Sequence, residues 1–182
     1  MRFERLSIPD VVLIESVVIG DARGFFQESW NEREFAAAGI GARFVQDNHS
    51  RSVKYTLRGL HYQVRQPQGK LVRVVQGDVF DVAVDARRSS PTFGRWVGAA
   101  LSADNHRQLW VPAGFAHGFL VLSESADLLY KVTDFYSRGD EVCVRWDDPA
   151  LAIDWPIPPG TQPLLSAKDQ QGLDLRMAAV FP

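Results

Sequence analysis

Short apolar runs, separated by glycine, proline and polar turns, recur along most of the chain. From Leu60 onward they return at a spacing of about 8–12 residues, which is typical of an all-β sandwich or barrel. Strands are predicted over residues 71–76, 79–85, 96–101, 108–111, 119–122, 128–136 and 142–146. The pattern therefore predicts a mainly β protein in which residues 1–182 form a single domain.

The amino-terminal part of the chain mixes strands with one short helix. Residues 11–19 are predicted to form one or two strands, and residues 25–30 another. Asn31 with Glu34 is a capping-box pattern, which predicts a helix that begins there and stops at Gly39.

Four further segments are predicted from their turn and strand residues. Residues 44–48 are expected to be a short strand and the polar residues 49–56 a loop. Gly77-Asp78 is expected to be a hairpin turn. The proline-rich residues 155–160 should be irregular, because proline removes a ladder hydrogen bond from a sheet interior.

Composition and charge exclude several classes of protein. With 46% hydrophobic and 23% charged residues, the 182-residue chain is an ordinary globular protein. A net charge of -2 argues against a broad basic face for nucleic acid. There is no apolar run long enough to cross a bilayer and no secretory signal, so the cytoplasm is expected. The single cysteine, Cys143, excludes an internal disulfide and is predicted to be a strand residue in the core.

The first candidate for chemistry is the pair His61 and Lys70. Residues 58–63 have the pattern of a strand, residues 65–69 that of a turn, and Lys70 opens the next strand, so the two side chains should lie close together. This combination suits proton abstraction next to a carbonyl. An imidazole works as a base near its own pKa, and a fixed cation stabilises the enolate that forms.

The second candidate is the stretch Pro112-Ala113-Gly114-Phe115-Ala116-His117. It is similar to the second block of cupin jelly rolls, where the histidine usually binds a metal. The first block of metal cupins has His-x-His, then a glutamate seven residues before a glycine. Here those positions hold His61-Tyr62-Gln63 and Lys70. An ammonium has no lone pair to donate and repels a divalent cation, so no metal and no other cofactor is predicted.

Taken in order, the motifs closely resemble the dTDP-4-dehydrorhamnose 3,5-epimerase family. The matching stretches run nearly end to end and comprise residues 23–25 with Glu28, 46–48, 58–63, 70–72, 111–119, 130–136 and 165–169. The resemblance implies a cupin-type jelly roll (a double-stranded β-helix) with a few short helices. It also implies a homodimeric isomerase, free of metal, that inverts C3 and C5 of a nucleotide-linked 4-keto-6-deoxyglucose in dTDP-rhamnose synthesis.

The resemblance also implies the roles of individual residues. His61 would be the base, oriented by Asp169; Tyr130 would return the proton from the opposite face of the sugar, and Lys70 would stabilise the O4 enolate. The expected substrate-binding residues, including Tyr136 against the thymine ring and arginines at the diphosphate, are Arg23, Glu28, Gln46, Asn48, Arg58, His117, Tyr136, Glu141 and Lys168.

Several alternatives remain open from the sequence. Asp169 stands three residues after Ser166 and could serve only to cap a helix, and His117 could simply support its turn. Residues 137–141 depart from the proline-containing turn that is common in the family, which bears on base preference and on Glu141. The rival functions are a mono-epimerase, a metal-dependent cupin enzyme and a non-catalytic sugar-binding cupin.

Overall fold

The protein, described over residues 1–182 by a computed structural model, consists mainly of antiparallel β-sheet, which confirms the predicted fold class. The strands are β1 (Arg2–Arg5), β2 (Val12–Glu15), β3 (Val18–Asp21), β4 (Gly24–Gln27), β5 (Gln46–Val53), β6 (Leu57–Gln63), β7 (Lys70–Gln76), β8 (Asp78–Asp85), β9 (Trp96–Ser102), β10 (Arg107–Val111), β11 (Phe115–Val121), β12 (Ser125–Val132) and β13 (Glu141–Cys143). One sheet has the strand order β1-β2-β10-β7-β12-β5, a second has the order β13-β6-β11-β8-β9, and β3 and β4 form a separate hairpin.

The central strands of the five-stranded sheet are buried on both faces. In β8, Val79 and Ala83 pack into the core between the two sheets. Val82 and Val84 belong to a second core, which also contains Leu175 from the carboxy-terminal segment. Burial on both faces explains why the apolar residues of β8 do not alternate with polar ones.

The only α-helix, α1 (Glu32–Ala37), forms where the capping pattern predicts it. The side chain of Asn31 accepts hydrogen bonds from the backbone N–H groups of Arg33 and Glu34. Two 3-10 helices follow later in the chain, at Arg138–Asp140 and Asp169–Gln171. No helix is both long enough and apolar enough to span a membrane.

The turn at Gly77 is not the predicted hairpin. Strand β7 pairs with β10 and β12, whereas β8 pairs with β11 and β9, so the chain passes from one sheet to the other at this point. Gly77 has a φ of 74°, and a Cβ there would clash with the backbone oxygen of Ser125. A tight Gly-Asp turn therefore marks a corner between two sheets here.

Residues 49–56 were predicted as a loop, and this is wrong for most of them. Strand β5 extends to Val53 and pairs with β12 along its whole length. It is the last strand of its sheet, and its exposed residues alternate with half-buried ones and with the buried Ser52. An edge strand with one solvent-exposed face accepts polar residues, so a hydrophobic pattern alone does not identify such a strand.

Other predicted boundaries are corrected by a few residues. The strand predicted over 128–136 is β12, which ends at Val132, and the one predicted over 142–146 is the shorter β13. The strand predicted over 119–122 begins earlier, because β11 already starts at Phe115. Residues 155–160 contain neither helix nor strand, as the prolines predicted.

Candidate active site

A cavity of about 520 Å³ lies where β6 and β11 of one sheet face β7 and β12 of the other. The segment before and within the second 3-10 helix forms its remaining wall. Nine of the residues named from the sequence line it: Arg58, His61, Lys70, His117, Tyr130, Tyr136, Glu141, Lys168 and Asp169. The fold thus brings residues that are far apart in the chain to one pocket. Its volume is in the range of small-molecule binding sites.

His61 and Asp169 form a hydrogen-bonded pair at this cavity. His61 Nε2 lies 2.5 Å from Asp169 Oδ1, and the Asp169 side chain is only 3% exposed. Ser166 Oγ donates to Asp169 Oδ2 at 2.6 Å, and the Asp169 N–H donates back to Ser166 Oγ at 3.1 Å. Asp169 is therefore the partner of His61, and its contacts with Ser166 hold the turn that precedes the second 3-10 helix. The N-cap of that helix is Lys168, where no side chain caps the backbone.

The charges of this pair follow from burial and hydrogen bonding. Burial lowers the pKa of His61 below its usual value of 6.5, although Asp169 acts in the opposite direction. Burial works against the charged form of Asp169, but the hydrogen bonds from His61 and Ser166 outweigh it, so the pKa of Asp169 is lowered to about 2. At neutral pH, Asp169 is ionised and the imidazole is neutral. With Nε2–H directed at Asp169, Nδ1 is the nitrogen left to accept a proton.

Lys70 places a buried cation beside the histidine. Its Nζ donates to the backbone oxygen of His61 at 3.0 Å, and the residue is 7% exposed. Burial lowers the pKa of Lys70 to about 8, with Asp81 and Glu141 acting in the opposite direction. Because this value is still above 7, the ammonium form predominates at neutral pH. Lys70 reaches His61 from the facing sheet, not from a hairpin partner.

Tyr130 lies on β12, across the cavity from the strand that carries His61. Burial raises the pKa of Tyr130 above its usual value of 10, so the phenol keeps its proton at neutral pH. A neutral imidazole on one wall and a protonated phenol on the other are the protonation states that a base and an acid need.

His117 is held by a buried carboxylate that sequence reasoning missed. His117 Nε2 lies 2.8 Å from Asp81 Oδ1, and the Asp81 side chain has no exposed surface. Asp81 Oδ2 has no hydrogen-bond partner. The signal in the sequence is an aspartate inside the apolar run 79–84, because a buried charge needs a partner.

At the mouth of the cavity, hydrogen bonds connect the side chains of Tyr136, Glu141 and Lys168. Tyr136 Oη donates to Glu141 Oε2 at 3.0 Å, and Lys168 Nζ donates to Glu141 Oε1 at 2.8 Å. Gln46 and Asn48 do not line the cavity. Gln46 accepts a hydrogen bond from the backbone N–H of Tyr136 at 3.2 Å and donates to Asn48 at 2.7 Å, so both lie just behind the mouth.

Arg23 and Glu28 are not brought to the cavity within one chain. Arg23 is at the turn between β3 and β4, where its exposed side chain pairs with Asp21. Glu28 accepts a hydrogen bond from Asn31 at the start of α1. Their predicted part in substrate binding therefore has no support from the arrangement of a single chain.

Cys143 lies in a strand, as predicted, but it is half-buried beside the site and does not belong to the core. Its Sγ is 3.7 Å from Asp169 Oδ1, and the possible ligand atoms of His61, Cys143 and Asp169 lie within 4.8 Å of one another. Burial raises the pKa of the thiol to about 12, so it is not a thiolate at neutral pH. With Lys70 and Lys168 nearby, this donor set does not fit a divalent cation.

Comparison with known proteins gives one consistent family. Residues 5–177 match the family model described as dTDP-4-dehydrorhamnose 3,5-epimerase. A curated protein of that name from Pseudomonas aeruginosa is 61% identical over 183 residues, which cover 100% of both chains.

Solved structures agree in fold and in sequence. The dTDP-6-deoxy-D-glucose-3,5-epimerase from Legionella pneumophila, crystallised with dTDP-4-keto-L-rhamnose, is 52% identical with a TM-score of 0.93, and the match covers 97% of this chain and 93% of that one. A 3'-monoepimerase from Streptomyces bikiniensis in complex with dTDP-quinovose is 34% identical with a TM-score of 0.87, covering 94% and 86%.

Proposed function

Because the chain belongs to the dTDP-4-dehydrorhamnose 3,5-epimerase family, we propose that it is an isomerase of dTDP-rhamnose synthesis. It inverts C3 and C5 of dTDP-4-dehydro-6-deoxy-D-glucose to give dTDP-4-dehydro-L-rhamnose. Its two sheets are the cupin-like jelly roll of that family. The observation that carries the proposal is the meeting of the His61–Asp169 pair, Lys70 and Tyr130 at one cavity.

The chemistry begins with removal of a proton next to the 4-keto group. That carbonyl acidifies the hydrogens on C3 and C5, and His61 Nδ1 offers the lone pair that takes them. The negative charge then moves to O4, where an enolate in a buried pocket would be costly without a cation or strong donors. Lys70 supplies that cation, and His117 lines the same pocket.

Inversion requires that the new proton arrive on the opposite face of the sugar. Tyr130 is the residue proposed for this step, and its position on the sheet that faces His61 supports the proposal. The reaction moves protons and leaves the overall oxidation state of the sugar unchanged. It therefore needs no redox cofactor.

The nucleotide end of the substrate fits the mouth of the cavity. Tyr136 is 53% exposed and offers an aromatic face to the thymine ring. Arg58 is oriented by a 2.9 Å hydrogen bond from its Nε to Ser52, and its remaining guanidinium donors suit a diphosphate. Lys168 adds a second cation, held by Glu141.

We further propose a homodimer in which the β3–β4 hairpin crosses to the partner. Large apolar side chains are exposed in and beside this hairpin, with Ile19 64%, Phe25 61% and Phe26 68% exposed. Neighbouring exposed apolar side chains of this kind often mark a protein–protein interface. Docking this hairpin on a second copy would carry Arg23 and Glu28 away from their own chain and toward the partner's cavity. Sedimentation should then give twice the chain mass of 20.4 kDa.

The proposed compartment is the cytoplasm. Cys143, the single cysteine, is a free thiol. A free thiol is compatible with a reducing compartment.

Turnover of dTDP-4-dehydro-6-deoxy-D-glucose in deuterated water tests the proposed function. The product should carry deuterium at both C3 and C5, with both centres inverted. Deuterium and inversion at one carbon alone would make this chain a mono-epimerase, which is the second candidate because the 3'-monoepimerase has the same fold. Loss of activity on chelation would favour a metal-dependent enzyme, and no exchange at either carbon would favour a binding protein.

Replacing Tyr130 by phenylalanine should separate exchange from inversion. The base and the cation stay in place, so protons at C3 and C5 should still exchange with solvent. Inversion should slow by about 10²-fold or more, because the general acid is missing from the far face. The ratio of inverted to exchanged sugar, measured by NMR in deuterated water, should fall. Tyr55→Phe is the control, and an unchanged ratio in Tyr130→Phe would contradict the assignment.

A further inference from the structure

Gln63 occupies the second histidine position of the metal-binding pattern, yet the proposed chemistry gives it no role. It lines the cavity and is only 2% exposed. Two residues before it on β6 stands His61. A buried amide at this position must satisfy its donors and acceptor within the protein.

The hydrogen bonds of Gln63 join two other segments. Gln63 Oε1 accepts from the backbone N–H of Ser137 at 2.8 Å, and Gln63 Nε2 donates to the backbone oxygen of Phe135 at 3.2 Å. The same nitrogen donates to the backbone oxygen of Gln66 at 2.8 Å, in the turn that follows β6. One buried side chain thus holds the residues on both sides of Tyr136.

The residues that flank the Phe135–Ser137 segment are attached to the end of β6 and the turn after it. Asp140 accepts a hydrogen bond from the backbone N–H of Val64 at 3.1 Å, and Gln68 Nε2 donates to the backbone oxygen of Asp134 at 2.8 Å. Tyr136 donates its backbone N–H to Gln46 at 3.2 Å. The Arg65–Asp140 ion pair closes the far side of the loop, but the Arg65 side chain is 81% exposed, and exposed pairs contribute little. Within this segment, Gln63 is the only side chain that hydrogen-bonds to the backbone on both sides of Tyr136.

We propose that Gln63 is a positioning residue. It fixes the Phe135–Ser137 segment, which carries Tyr136, to strand β6, which carries the catalytic base His61. The proposal rests on the proposed function, since it assigns Tyr136 to the nucleotide. Gln63 acts through the backbone of Phe135 and Ser137 and does not touch the reacting atoms. The position that would hold a metal ligand in other cupins here sets the affinity for the nucleoside diphosphate end of the substrate.

Gln63→Met tests this, because it keeps the length of the side chain and removes its hydrogen bonds. The dissociation constant of dTDP, measured by calorimetry, and the KM should both rise about tenfold, the scale of losing buried hydrogen bonds. The kcat should stay within about threefold, because His61, Lys70 and Tyr130 are unchanged. Gln162→Met, at an exposed glutamine, is the matched control.

Backbone amide exchange adds a readout that does not depend on turnover. In the wild type, the Ser137 amide should exchange slowly, although it lies in a surface loop, and in Gln63→Met it should exchange rapidly. Fast exchange of this amide in the wild type would overturn the proposal even if the variant did not fold. Unchanged dTDP affinity in a folded variant, or a fall in kcat with affinity unchanged, would also overturn it. Absence of epimerase activity in the wild type would instead remove the proposed function.

Discussion

Replacing His61 by asparagine should lower proton exchange at both C3 and C5 by about 10³-fold, within the range measured for general bases. Asparagine keeps a polar amide at this position but has no basic lone pair. Because the proposed mechanism sets His61 against the sugar and not the nucleotide end, dTDP affinity should stay within about threefold of the wild type. Exchange is measured by NMR in deuterated water, and affinity by calorimetry.

The matched control for this variant is His49→Asn, which changes an exposed histidine paired with Asp127. It should exchange at the wild-type rate. If His61→Asn retained exchange at one of the two carbons, a second base would serve that carbon and the single-base account would be wrong.

The pH dependence of the wild type should reflect the same histidine. Burial lowers the pKa of His61 below 6.5. The neutral, basic form of the imidazole therefore predominates at every pH above that lowered pKa. Exchange should therefore be constant near neutrality and fall only as the pH drops through that lowered value. A fall that began well above pH 6.5 would contradict the burial of this imidazole.

Replacing Lys70 by methionine should lower kcat by about 10²–10³-fold, the scale of removing one stabilising group from a developing oxyanion. Methionine fills the buried space without a charge. The alkaline side of the pH profile gives a second, independent readout. The pKa of Lys70 is lowered to about 8, so wild-type activity should decline above that pH as the ammonium loses its proton.

The alkaline decline near pH 8 should be absent in Lys70→Met, because the group that titrates is gone. Lys54→Met, which removes a lysine paired with Glu124 at the surface, is the control and should keep both the rate and the decline. A Lys70→Met enzyme with wild-type kcat would show that the enolate is stabilised by other groups.

Local patterns predicted much of the fold because their causes are local. Strand spacing, the Asn31 cap and the irregular prolines depend on neighbours within a few residues, and all three are found. The turn at Gly77 was mistaken for a hairpin because a tight turn can also be a corner between sheets. The part of strand β5 beyond Asn48 was missed because its pairing with β12, far along the chain, stabilises it more than its own composition does.

Most roles in the site were predicted from the family resemblance, and few could be predicted from single residues. His61, Lys70 and Asp169 do meet at the cavity, but their contacts join positions that are up to 108 residues apart. Asp81 and Gln63 could not be given roles from the sequence, because their partners come from other strands and loops. Arg23 and Glu28 remain predictions that only a second copy of the chain could fulfil.

The account depends on an imidazole and a phenol lying on opposite faces of the bound ketosugar. A crystal structure of the protein with a dTDP-linked 4-keto-6-deoxysugar tests this directly. It should place His61 Nδ1 and Tyr130 Oη on opposite faces, each about 3–3.5 Å from C3 or C5, with Lys70 Nζ beside O4. Both side chains on one face of the ring, or an ion held by His61 and His117, would contradict the account.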